Sequence, residues 1–150
     1  FNYRITNIQS ALGCAQLEQV NRFIKTRQDL ARIYQDGFDE FPWLLPQASF
    51  DDRSSSHWLY TLLVSDDAPI DREEITKGLA DEGIDTRPIF HSLHQQPAFS
   101  KFKTDPCPVS ADISSRGFSL PTSNHMTAAD AERVVITFKK LLDRKQFLLK

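Results

Sequence analysis

The sequence predicts an α+β fold, in which a small and mostly antiparallel sheet is covered by helices. Helical and strand patterns alternate along the chain, without the long, regular strand–helix units of a doubly wound sheet. The clearest strand pattern, residues 57–64, is apolar on both faces at its centre, which favours a central position in the sheet. With 150 residues, 40% hydrophobic and 25% charged, the chain has the size and composition of one globular domain. We divide it into a helical segment, 1–40, and an α+β part, 41–150.

The helical segment is predicted from a start signal and a repeating apolar pattern. The run Thr6–Gln9 matches a capping box, in which the threonine hydroxyl and the glutamine side chain each satisfy one backbone N–H. Apolar residues recur behind it at helical spacing, and Gly37 stands where a C-cap is expected. Residues 6–36 are therefore predicted to form two consecutive helices or one bent helix.

The rest of the chain alternates between short elements. Prolines and aromatic residues predict an extended connector at 41–46, because proline removes a backbone donor and restricts its neighbour. An aspartate cap and a following glycine bound the next helix. The elements expected after the connector are a strand at 57–64, a helix at 72–82, a strand at 84–88, a short helix at 110–116, a strand at 117–121 and a final helix capped at Thr127.

Composition excludes several classes of partner and site. The formal net charge of −2 gives no basic field to hold a nucleic acid, and no apolar run of about 18 residues is available to span a membrane. No signal peptide is recognisable, so we expect a soluble, cytoplasmic protein. Cys14 and Cys107 lack metal-binding spacing and are interpreted as free thiols. The chain opens without methionine, directly before a helix signal, so we expect further polypeptide upstream.

The densest cluster of reactive side chains lies between Arg87 and Pro97. A guanidinium, two imidazoles and an aromatic ring in this segment suit an anionic ligand that carries a ring, and these candidate binding residues are Arg87, Phe90, His91 and His94. The structural alternative stays open: the arginine pairs with a surface carboxylate, one histidine caps a turn and the phenylalanine belongs to the core.

Other chemistries find little support in the sequence. His91 and His94 are three residues apart, but no cysteine or carboxylate adjoins them, so no metal site is predicted. No catalytic triad pattern and no glycine-rich phosphate loop occur. The lysines stand in polar contexts typical of solvated ammonium groups, and we assign no catalytic residue.

Three ordered motifs carry a resemblance to a known family. The opening FNYRITNIQSALG, followed by QLE, the run GIDTRP with LH and QP after it, and the run RGFSLP resemble segments of the DegT/DnrJ/StrS aminotransferases. Together they cover the whole chain. The forms HWLYT and TRP are most similar to the members that act on GDP-4-keto-6-deoxymannose, the perosamine-type enzymes of cell-surface polysaccharide biosynthesis.

The resemblance implies the small C-terminal domain of a pyridoxal-phosphate (PLP) enzyme with the aspartate-aminotransferase fold. Such enzymes bond PLP to a lysine and pass an amino group, usually from glutamate, to a keto nucleotide sugar. By resemblance, Asn2 reaches the PLP phosphate of the other subunit and Arg4 supports it. The loop with Arg87, Phe90, His91 and His94 faces the nucleotide sugar. Ser92 replaces the family's usual proline, which changes the expected loop shape.

The resemblance also implies that the reactive lysine belongs to a preceding large domain. We therefore expect the isolated chain to bind no PLP and to be inactive. Exposed apolar surface on the first helix and beside Trp43 predicts a homo-oligomer. Two alternatives are a stand-alone module for nucleotide-sugar binding or oligomerisation, and an unrelated structural domain whose motif residues scatter over the fold.

Overall fold

The computed structural model describes residues 3–102 and 105–148 and confirms the α+β class. This part of the chain contains five α-helices and one four-stranded sheet. In chain order, the elements are α1 (Asn7–Leu17), α2 (Val20–Phe38), β1 (Leu44–Pro46), β2 (Tyr60–Val64), α3 (Arg72–Asp81), β3 (Arg87–Pro88), α4 (Pro108–Arg116), β4 (Gly117–Leu120) and α5 (Ala128–Leu148).

The sheet is antiparallel throughout, with the strand order β1-β2-β4-β3. Its centre is the pairing of β2 with β4, in which Leu62 faces Phe118 across the ladder. Both side chains are fully buried. The predicted central position of the strand within 57–64 is therefore confirmed, although the strand begins only at Tyr60.

Both edge strands differ from the prediction: β3 is shorter than expected, and β1 lies where only an extended connector was expected. Only Arg87–Pro88 of the predicted strand 84–88 pairs with β4, and the Ile84 N–H instead donates to the Leu79 carbonyl at the end of α3, at 2.9 Å. Pro88 suits this edge position because it has no N–H for a second partner. The predicted connector 41–46 ends in the edge strand β1, which also terminates at a proline. The short helix predicted at 110–116 begins two residues earlier, at Pro108, where a missing N–H is no loss.

The core lies where α2, α3 and α5 meet the sheet. Its largest fully buried side chains include Tyr34 of α2 and Phe138 of α5. The phenol of Tyr34 donates a hydrogen bond of 2.8 Å to the Pro121 carbonyl, which ties α2 to the end of β4. Trp43 packs on the ring of Phe138, with the ring centroids 6.2 Å apart.

Gly37 does not cap a helix, contrary to the prediction. Helix α2 continues through it to Phe38. A Cβ at this position would lie 2.6 Å from Cγ1 of Val135 on α5, so the glycine lets the two helices approach closely. Gly37 is therefore needed for the packing of α2 against α5 and not for ending a helix.

The predicted capping box at the first helix is confirmed, and two separate helices form rather than one bent helix. The Thr6 N–H donates to Gln9 Oε1 at 2.9 Å, and the Gln9 N–H donates to Thr6 Oγ1 at 3.3 Å. Helix α1 nevertheless buries none of its residues. Ile8 and Leu12 are 76% and 63% exposed, so the apolar surface expected on this helix is present. None of the helices in the described part of the chain is long and apolar enough to cross a membrane.

Candidate functional site

A groove of about 760 Å³ opens beside the edge strand β3. The segment that follows β3 forms one wall, and residues just before β2 form the other. Its lining includes two exposed aromatic rings, one guanidinium, one imidazole and two amides, which belong to Trp58, Phe90, Arg87, His91, Gln95 and Gln96. A volume of this size is typical of small-ligand sites.

The segment from Arg87 to Pro97 is held in place by the sheet and by α4. Its start is fixed by the pairing of β3 with β4. Just after β3, the Ile89 N–H donates a hydrogen bond of 3.4 Å to the Gly117 carbonyl. Further along, the hydroxyls of Ser92 and Ser110 are hydrogen-bonded at 2.7 Å, and Ser92 is buried. The residue that departs from the family's usual proline therefore anchors the loop to α4.

Two short 3-10 turns, Leu93–Gln95 and Pro97–Phe99, shape the end of the segment. The side-chain amide of Gln96 donates to the His91 carbonyl at 3.2 Å, which closes the loop on itself. His91 is exposed at the groove, whereas His94 is half-buried in the first 3-10 turn and does not line the groove. Three of the four predicted substrate residues, Arg87, Phe90 and His91, thus share one surface.

Arg87 makes the ion pair that the structural alternative foresaw. Its Nη2 lies 2.7 Å from Asp85 Oδ2, and both side chains are 72% exposed. Such an exposed pair contributes little to stability, and a guanidinium carries five N–H donors. The pair therefore orients Arg87 at the groove without using all of its donors. Phe90 does not join the core: it is 77% exposed.

Trp58 is the groove residue that sequence reasoning missed. It lies in the predicted strand 57–64, yet β2 begins at Tyr60 and Trp58 is 61% exposed. The reason is local: His57 has a φ of 44°, a left-handed conformation that interrupts the extended backbone before the strand. Burial lowers the pKa of His57, which favours the neutral imidazole.

The sequence of the whole chain can now be set beside those of known proteins. Residues 1–139 match the pattern of the DegT/DnrJ/EryC1/StrS aminotransferase family. The chain belongs to this family.

Relatives with established names include two GDP-perosamine synthases. The protein from Caulobacter vibrioides is 31% identical over 144 residues, which cover 95% of this chain and 38% of that protein. The protein from Escherichia coli O157:H7 is 34% identical over 122 residues, which cover 81% of this chain and 32% of that protein. The chain thus spans between a third and two fifths of the length of these relatives.

Solved structures of a sugar aminotransferase and of a sugar dehydratase share the fold. Helicobacter pylori PseC, an aminotransferase involved in the biosynthesis of pseudoaminic acid, superposes with a TM-score of 0.84 at 23% identity, over 96% of this chain and 39% of that one. The E. coli GDP-4-keto-6-deoxy-D-mannose-3-dehydratase with bound hydrated PLP gives a TM-score of 0.80 at 21% identity, over 92% and 36%. The small α+β unit is therefore a recurring part of larger proteins.

The aminotransferase family depends on PLP, but the described residues do not form a site that fits it. A lysine that bonds this cofactor needs a desolvated, unprotonated amine. The lysines whose side chains are described are all exposed or half-buried, and they are Lys25, Lys77, Lys101, Lys139 and Lys140. Arg4 is exposed ahead of α1, and Asn2 lies outside the described residues. The cofactor contacts assigned to these two residues stay predictions.

The RGFSLP motif shared with the family is structural here. Arg116 donates two hydrogen bonds of 2.8 Å to the Asp112 carboxylate, and these bonds hold the pKa of Asp112 below its usual range. The same guanidinium donates to the Val64 carbonyl at 3.1 Å and so ties α4 to β2. Among the described residues, no group of three or more His, Cys, Asp or Glu side chains is arranged to hold a metal ion.

Proposed function

We propose that this chain is the C-terminal, substrate-binding portion of an aminotransferase that moves an amino group from glutamate to a 4-keto-6-deoxy nucleotide sugar. The observation that carries the proposal is the groove: Arg87, Phe90 and His91 line one cavity in a chain of the sugar-aminotransferase family. A GDP-linked, perosamine-type substrate is favoured by the GDP-perosamine synthases among the relatives.

The groove chemistry suits a nucleotide sugar. The guanidinium of Arg87 is exposed at the groove. It can therefore form a forked pair with a diphosphate. His91 adds a second hydrogen-bonding group near neutral pH. The apolar face of Phe90 offers contact to a flat or ring-shaped part of the substrate. In this proposal the chain binds and orients the substrate.

The reactive amine is supplied by polypeptide outside this chain. No described lysine is desolvated, and the matching part makes up only 38% and 32% of the two relatives. We therefore expect the isolated chain to bind no PLP in a specific manner and to have no aminotransferase activity. Arg4, and Asn2 beside it in the sequence, would contact the cofactor only in the assembled protein.

A chimera tests the proposed function directly. The matching C-terminal part of the E. coli O157:H7 GDP-perosamine synthase is replaced by this chain, and formation of GDP-perosamine from GDP-4-keto-6-deoxymannose and glutamate is measured. We expect activity in the chimera and none in the isolated chain. Arg87→Ala should lower kcat/KM by about tenfold or more, because a charged hydrogen bond to phosphate is worth roughly 1.5–3 kcal/mol.

Asp85→Asn is the matched control for Arg87→Ala, because it removes the ion-pair partner and keeps the guanidinium. A folded chimera that binds PLP but makes no product, or an Arg87→Ala chimera as active as its parent, would contradict the proposal.

The second candidate, a module that binds nucleotide sugars without the upstream domain, is favoured by the preformed groove. Micromolar binding of GDP-mannose by the isolated chain in calorimetry, together with an inactive chimera, would support it, and absent binding would exclude it.

A further inference from the structure

Trp58 is unusual because a large aromatic ring stands in solvent although its backbone is fixed. Trp43, the other tryptophan of the chain, packs against Phe41 and Phe138 with centroid distances of 5.6 and 6.2 Å. Trp58 is 61% exposed and takes part in no ring stacking or cation–π contact within the described part of the chain. A tryptophan left open at a cavity is a feature of binding sites rather than of cores.

The backbone around Trp58 is held from both sides. The buried hydroxyl of Thr122, just beyond β4, donates a hydrogen bond of 2.8 Å to the Trp58 carbonyl. On the other side, the left-handed His57 donates its N–H to Ser55 Oγ at 3.0 Å. The exposure of Trp58 is therefore built into the fold.

The groove places three kinds of group around one space. Trp58 and Phe90 provide two exposed aromatic faces, and Arg87 provides a cation at the same cavity. Gln95 adds an exposed side-chain amide that can donate and accept hydrogen bonds. A ligand that matches this set has a flat ring with polar edges joined to an anion, which is the description of a nucleobase carrying phosphate.

We propose that Trp58 stacks on the nucleobase of the nucleotide sugar, and that Thr122 is the positioning residue that presents it. The inference rests on the proposed function and adds the orientation of the substrate in the groove. The base lies on Trp58, and the phosphates lie toward Arg87. A purine offers the larger stacking face, so guanine nucleotides should bind more tightly than uracil nucleotides.

The experiment uses the 150-residue chain with Trp43→Phe, so that Trp58 is the sole indole. Its fluorescence is titrated with GDP, UDP and mannose 1-phosphate, while calorimetry measures binding independently. We expect saturable quenching by GDP, weaker quenching by UDP and none by mannose 1-phosphate. In calorimetry, Trp58→Ala should weaken GDP binding about five- to hundredfold, and Trp58→Phe should restore most of it.

Thr122 is tested with a pair of near-isosteric variants. Thr122→Val removes the hydroxyl and should weaken both quenching and GDP affinity several-fold, whereas Thr122→Ser keeps the donor and should restore both. Thermal denaturation of each variant separates this effect from a loss of folding. Equal GDP affinity in the valine and serine variants would overturn the positioning role.

The outcomes separate this inference from the proposed function. If GDP binds in calorimetry without quenching Trp58, or if mannose 1-phosphate quenches as strongly as GDP, the inference is wrong and the proposed function stands. If GDP does not bind at millimolar concentration, the inference is overturned as well, and the activity of the chimera decides the proposed function by itself.

Discussion

Gly117 is the residue on which the groove segment rests. A Cβ at this position would overlap Cδ1 of Ile89 and lie 2.8 Å from the Ile113 carbonyl. Ile89 follows β3 directly and lines the groove. The missing side chain therefore lets the segment lie flat on β4, and the positions of Arg87 and Phe90 depend on it.

We predict that Gly117→Ala destabilises the chain by about 1–3 kcal/mol, the usual cost of forcing an extra carbon into a packed site. The backbone carbonyl of Ile113 leaves little room to yield, so the displacement falls on Ile89 and the groove. Urea denaturation measures the loss. Gly13→Ala is the control, because nothing lies within 4 Å of a Cβ there. Equal stability of both variants would contradict this view of Gly117.

Two helices of the chain begin with the same capping device but differ in what they bury. At α3, the Glu74 N–H donates to Asp71 Oδ1 at 2.8 Å, and the helix buries Ile75 and Leu79. At α1, the Thr6 box is equally complete, but no residue of the helix is buried. A helix contributes to global stability mainly through its packed face.

The two caps should therefore give different results when they are removed. Asp71→Ala should lower the free energy of unfolding by about 1 kcal/mol, the typical value for a lost N-cap. Thr6→Ala should leave global unfolding nearly unchanged and increase hydrogen exchange only at the amides of α1. Denaturation and hydrogen exchange followed by NMR make both measurements. A global loss of 1 kcal/mol in the α1 variant would show that this helix is packed in solution.

Helix α1 and the residue Ile5 ahead of it carry an exposed apolar face. Ile5, Ile8 and Leu12 follow one another at helical spacing and are 68%, 76% and 63% exposed. Removing apolar surface of this kind from water is favourable by about 25 cal/mol per Å². We infer that this face is covered by association in the isolated chain.

We therefore expect light scattering to find a dimer or a larger assembly. The chain is measured at tens of micromolar, a concentration range that detects weak association. Replacing Ile8 and Leu12 with glutamate should give a monomer. Ser10 and Cys14 have the same spacing on the opposite side of α1, so glutamate at both is the control with matched charge. A monomeric parent chain, or equal dissociation by both pairs, would count against association through this face.

The extent to which the site was predictable depended on the kind of residue. Arg87, Phe90 and His91 were chosen because their chemistry is unusual for a short surface segment; the structure brings all three to one groove, and their role in binding stays a prediction. Trp58 was missed because its neighbours form a strand pattern, in which an aromatic residue is expected to be buried. The left-handed His57, a conformation that no periodicity records, interrupts the extended backbone just before Trp58, and the ring is exposed.

The sequence by itself determined the α+β class, the Thr6 capping box, the helices, the central strand pattern and membership of the aminotransferase family, since these depend on local spacing and residue type. The tertiary structure decided what two glycines and one tryptophan do. Gly37 and Gly117 allow close contacts with Val135 and Ile89, which are distant in sequence, and Trp58 is exposed where the left-handed His57 interrupts the strand and Thr122 holds the Trp58 carbonyl. Such contacts join residues far apart in the chain, so a pattern read along the sequence does not contain them.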